Sequence, residues 1–163
     1  MIVVEERLIK TFDQLPEMDG FKPIYKWGNE DHLIQQMSLY SKENKSIYPL
    51  IYQTSKGSDQ DDIAKECKTD LFFILACRNP DITLTNENRW AMSYGNILFP
   101  LVENMQKCFH RAGIFNWDGK LRIDEFPNYS EIKKGQKIID IWDALTVKLH
   151  VTINDRNINK IRF

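Results

Sequence analysis

Residues 69–78 read TDLFFILACR, and residues 145–153 read LTVKLHVTI. The first is a nearly continuous apolar run bounded by charge, which predicts a strand buried on both faces. The second alternates strictly, with Leu145, Val147, Leu149, Val151 and Ile153 against Thr146, Lys148, His150 and Thr152. A period of two is that of a strand with one packed face and one that is wet or meets a partner. Together they predict a sheet at the centre of the fold.

Working outward, Ile47 to Tyr52 is also rich in β-formers. Pro49 lacks an N–H, which puts the start of that strand near it. The polar stretch Thr54 to Asp62 then reads as an exposed hairpin loop leading into the strand near Lys68, and the tight connection predicts an antiparallel pair. Lys22 to Trp27 gives a further short strand, followed by a Gly28-Asn29 turn with Asn29 as N-cap of a helix over Asp31 to Tyr40.

Three- and four-residue steps of apolar side chains mark the helices. Val4, Leu8, Ile9, Phe12 and Leu15 form one stripe, and Leu33, Ile34 and Met37 another. The longest begins after Thr85, a cap residue, and carries Tyr94, Ile97, Leu98, Leu101, Met105, Cys108, Phe109 and Ala112 on one face. Gly95 and Pro100 interrupt it, so a kink or a broken pair of helices is expected, and Gly113 fits the C-terminal stop. Phe115 to Ile123 carries Asp118-Gly119 between apolar flanks, the pattern of a tight hairpin. Strands near Lys22, Pro49, Lys68 and Trp142 predict an α+β fold: a mostly antiparallel four-stranded sheet with helices packed on one face. Residues 1–163 read as a single domain, with an extended hairpin loop at 54–68 and a polar C-terminal tail at 154–163 that is mobile or reaches a neighbouring chain.

Composition narrows function. Lys and Arg number 22 against 23 Asp and Glu, a formal charge of −1, which disfavours a sequence-independent grip on DNA. Cys67, Cys77 and Cys108 contain no CxxC pair, which argues against a disulfide framework and for buried thiols in a reducing compartment. MIVVEERLIK lacks the basic and apolar regions of a signal peptide. The longest apolar runs fall well short of the ~20 residues of a membrane-spanning helix.

No phosphate-cradling, nucleophile-elbow or zinc-protease spacing occurs. His32, His110 and His150 have no second ligand three or four residues away. Asp59, Asp61 and Asp62 lack the continuation of a calcium loop and read as a solvated turn. Asp140 and Asp143, three apart on an extended strand, point to opposite faces, which argues against a carboxylate dyad unless a bulge intervenes. The expectation is therefore no catalytic residue, no metal and no cofactor. Of the four tryptophans, Trp90 and Trp142 flank core-like patterns, whereas Trp117 beside the predicted turn is a candidate for partner contact.

Four segments carry a resemblance: YPLIYQTSKG at 48–57, DLFFILACR at 70–78, RWAMSYGNILFPLVENM at 89–105 and DIWDALTVKLHVTIN at 140–154. They resemble neck and tail-completion proteins of tailed bacteriophages, in particular those of crAss-like phages, over about two thirds of the chain as an order of elements. The resemblance implies a tail terminator or head–tail connector, a virion structural protein and not an enzyme. Six or twelve copies would form a ring joining portal and head to the tail tube proteins, with genomic DNA only passing through its lumen. Its location would be the virion neck, after assembly in the host cytoplasm, with no membrane involved. The loop at 54–62, with Lys56, Asp59, Asp61 and Asp62, would face the lumen or the adjacent ring. Trp117, His150, Arg156 and Arg162 are candidates for subunit contact. A proline inside the main helix and an insertion at 115–135 depart from some terminators. Two other readings stand beside this one: a small cytoplasmic enzyme using Asp140, His150 and Arg89, and a monomeric assembly chaperone.

Overall fold

A computed structural model describes residues 1–43, 48–54, 56–79, 85–129 and 142–163. Among the described residues the fold is α+β, with seven strands in one open, mixed sheet. The strands are β1 (Ile24–Gly28), β2 (Leu50–Thr54), β3 (Ser58–Asp61), β4 (Glu66–Arg78), β5 (Phe115–Asn116), β6 (Arg122–Phe126) and β7 (Trp142–Asn154). The helices are α1 (Val4–Phe12), α2 (Glu30–Lys42), α3 (Asn86–Arg89) and α4 (Phe99–Arg111), with a π-helical segment, Trp90–Leu98, joining the last two.

The two 13-residue strands read first in the sequence, β4 and β7, pair along their whole length, from Glu66 opposite Asn154 to Arg78 opposite Trp142. β2 lies on the other side of β4, antiparallel, and β1 pairs with β2 in parallel through the α2 crossover. The expected four-stranded, mostly antiparallel sheet is thus corrected to seven strands and a mixed order. All four expected strands are present, and the extra three are short.

Two of the extra strands replace expected loops. β3 continues along β4, with Ser58 opposite Thr69 and Asp61 opposite Glu66, so the extended loop is largely strand and its turn is confined to Asp62–Lys65. The expected tight hairpin at Phe115 to Ile123 does not form. Instead β5 and β6 both pair with β7, Asn116 opposite Thr152 and Arg122 opposite Lys148, and residues 117–121 arch out between them. The open edge of a long strand offers more ladder hydrogen bonds than a two-strand ribbon can make with itself.

The pleat sorts the core into two layers. Odd-numbered side chains of the long strands, including Leu71, Phe73, Leu75, Leu145, Val147 and Val151, pack against α1 and α4 through Leu8, Phe12, Leu101, Met105 and Phe109. Even-numbered Ile74, Ala76, Trp142 and Ala144 pack against Leu33 and Met37 of α2 on the opposite face, with Tyr129. Helices therefore cover both faces, not one. A helical stripe specifies that a helix is buried, but not against which side of the sheet.

Asn29 and Thr85 cap their helices, accepting hydrogen bonds from the amides of His32 (2.7 Å) and Asn88 (3.3 Å). The interruption expected at Gly95 and Pro100 is the π-helical stretch: the Phe99 amide donates to the Tyr94 carbonyl, five residues back, immediately before the proline that cannot donate. Gly113 ends α4 at φ +76, where a Cβ would lie 2.4 Å from Asn159 Nδ2. Close packing against the returning tail thus adds to its backbone requirement. That tail folds back on the domain. Ile161 is buried and donates its amide to Gln14 of the α1 end at 2.8 Å, while the Asn159 amide bonds the Ala112 carbonyl at 2.9 Å.

All three cysteines are buried and free. Burial pushes the Cys77 and Cys108 thiols up to about 12. Among the described residues no helix is long and apolar enough to cross a membrane.

Candidate functional site

α2 shields only one end of the second sheet face. Toward the other end the even-numbered positions of β4 and β7 change from apolar to charged: Lys68 and Asp70, then Lys148 and His150, all exposed. The register sets Asp70 opposite His150 and Phe72 opposite Lys148, with Arg122 of β6 beyond Lys148. The arch at 117–121 rises beside this row. Between them lies a cleft of about 410 Å³ whose walls include Lys56, Asp70, Asp118, Lys120, Arg122, Lys148 and His150.

The half-buried Phe72 ring sits beneath two ammonium groups, Lys148 Nζ at 4.9 Å and Lys56 Nζ at 5.7 Å from its centroid. Both lie within the range in which a cation is attracted to the ring face. His150 Nδ1 lies 2.8 Å from Asp70 Oδ1, on the surface. Arg122 and Lys120 contact Asp124 and Asp118, at 3.3 and 3.4 Å. The Lys120 amide bonds Asp118 Oδ1 at 3.0 Å, and this bond, with the Lys120 ammonium, holds the Asp118 carboxyl below the usual range. The cleft presents four cations, two carboxylates and one imidazole, with Leu71, Leu121 and Leu149 as its apolar lining. Such a surface suits noncovalent docking of an acidic segment with an apolar anchor.

The structure brings together two of the residues singled out in the sequence, Lys56 and His150. Asp59 and Asp61 lie on β3, and Asp62 opens the turn after it. Asp61 Oδ1 accepts from the amides of Ile63 (3.0 Å) and Ala64 (2.9 Å), which fixes the turn. Trp117 is half-buried, its ring 5.8 Å from Phe109 and 4.8 Å from His110, and its buried Nε1 has no hydrogen-bond partner among the described residues. Arg156 and Arg162 expose their side chains, while their carbonyls accept from Arg7 and Arg111. Trp90, expected beside the core, is 54% exposed. Lys148, Arg122 and Phe72 went unread, because only the register places them side by side.

Of the residues of the enzyme reading, Arg89 and His150 lie on opposite faces of the sheet. Arg89 lies on the α4 side of the sheet, 3.7 Å from Asp143, which is fully buried and also accepts from Asn79 Nδ2 and the Asn128 amide, each at 3.0 Å. His150 faces the other side, in the cleft. Asp140 lies outside the described residues. Among those described, no cluster of three or more His, Cys, Asp or Glu could hold a metal ion. The chain matches no protein-family model and no curated protein.

Proposed function

We propose that this chain is the subunit of a homo-oligomeric ring at the neck of a tailed phage, a tail terminator or head–tail connector of the crAss-like type. Six or twelve copies would join portal and tail tube, and DNA would pass through the lumen without being gripped. The resemblance supports this reading, and its segments fall on β2, β4, the long helical stretch and β7, the centre of the sheet and the layer above it.

The observation that carries the reading is that one subunit exposes two unlike sides of an open sheet. The β1 side is aromatic and apolar, with Trp27 stacked on Tyr25 and 43% exposed, and Phe21 57% exposed before it. The opposite side, formed by β5, β6 and the arch between them, is charged, with Asp118, Lys120, Arg122 and Asp124. Closed rings with more than two copies need two different complementary patches on each subunit. Light scattering on the purified chain, beside electron microscopy of particles that contain it, tests the proposal. A monomer missing from finished particles favours the chaperone reading.

A further inference from the structure

The turn after β3 has the form of an insertion element. Ile63 at its tip is 98% exposed. Single exposed apolar residues are common, but this one is held in place. Asp61 caps the amides of Ile63 and Ala64, Gln60 exchanges hydrogen bonds with the main chain of Ile2 at 3.0 and 2.9 Å, and the Lys65 carbonyl accepts from Asp155 at 3.1 Å. A tip already fixed in its bound shape loses little freedom on docking. Around Ile63 stand Asp59, Asp61, Asp62 and Glu66 against Lys65, Lys68 opposite Asp59, and the Met1 ammonium 3.9 Å from Asp62, a small acidic excess opposite in sign to the charge of the cleft described above.

We propose that the Asp62–Lys65 turn of one copy docks in the open-face cleft of another copy. Ile63 would enter the cleft, and Asp59 and Asp62 would meet Lys56, Lys120 and Lys148. This inference rests on the ring reading and supplies one of its subunit contacts. The occupant comes from a second molecule because strand pairing fixes the tip's own distance. Glu66, at the base of the turn, is four residues along β4 from Asp70, about 13 Å at strand spacing. The two patches differ, so the contact is heterologous and propagates from copy to copy. Asp70 and Asp118 in the cleft wall oppose a phosphate backbone in the same place.

The test uses full-length variants, each carrying one added thiol at an exposed position. Ile63→Cys protein is mixed with Lys120→Cys protein under oxidised glutathione, with Lys10→Cys as the control partner. A 63–120 disulfide between chains, identified by mass spectrometry and at least tenfold above the control, is the expected result; the native thiols are buried. In parallel, Lys56→Glu/Lys148→Glu should lower the oligomer mass, and mixing with Asp59→Lys/Asp62→Lys should restore it. No cross-link above control overturns the contact, as does retention of single-stranded DNA by the cleft without a cross-link. If a ring still forms by light scattering while the cross-link fails, only this contact is wrong. A cross-link in particles that stop at two copies keeps the contact and refutes the ring.

Discussion

Replacing Asp143 with alanine removes a carboxylate that is fully buried among groups needing an acceptor. Its two oxygens take hydrogen bonds from Asn79 Nδ2 and the Asn128 amide, and the Arg89 guanidinium, 9% exposed, lies 3.7 Å away. These partners come from the end of β4, the residues after β6 and the start of the long helical stretch, so one side chain fastens three parts of the fold. An unsatisfied buried donor costs about 1–3 kcal/mol, and breaking a buried ion pair costs about 3–5 kcal/mol. Arg89 makes a further contact of its own, which places the expected loss at the lower end, about 3 kcal/mol. For a chain of 163 residues that corresponds to a fall in Tm of about 6–12 °C. Asp143→Asn keeps an acceptor for Asn128 but faces Asn79 with an amide, so it should fall between the alanine variant and the wild type. Thermal and urea unfolding followed by far-UV circular dichroism measure both. A loss below about 1 kcal/mol for the alanine variant would refute the reasoning, since that is the scale of a surface change.

Three further outcomes follow from the same physics. Gly113→Ala forces a side chain into a left-handed backbone and against Asn159; a loss of about 1–3 kcal/mol is expected, with faster proteolysis of the last residues, and unchanged cleavage would count against the tail's docking. Cys77 and Cys108 have raised folded pKa values, about 12, so their contribution is intact below the unfolded value and is lost as pH rises, with the unfolded state binding fewer protons. Stability should fall by about 1 kcal/mol or more between pH 8 and pH 10, and a flat profile would contradict this. Thr85→Ala should cost about 1 kcal/mol through loss of the cap on Asn88, read as a shift in the urea midpoint, and no shift would mean that the long helical stretch is held by packing alone.

The parts of the fold legible in the sequence are those where burial writes a period. The runs at 69–78 and 145–153 are β4 and β7, and the stripes through Leu8, Met37 and Met105 are helices facing a core. Caps at Asn29 and Thr85 and the stop at Gly113 follow from local chemistry. β3 left no such mark, because all four of its residues are exposed and its pairing rests on backbone bonds to β4. Asp118-Gly119 misled for a related reason: the turn chemistry is present, but the long edge of β7 takes both flanking strands. The parallel β1–β2 pair and the placement of α2 depend on where a crossover returns, which no local pattern encodes. The cleft gathers Lys56, Asp70, the arch at 117–121 and Lys148 from four separate segments. Two of its residues, Lys56 and His150, were readable as candidates, and their meeting was not.

The most direct test of the central claim is the absolute mass of the purified chain by light scattering over a range of concentrations, with electron microscopy of the same sample and of particles containing the protein. The account predicts a closed ring of six or twelve times the 19.3 kDa of one chain, in solution or at a particle's neck. A 19.3 kDa species at every concentration, absent from finished particles, would contradict it.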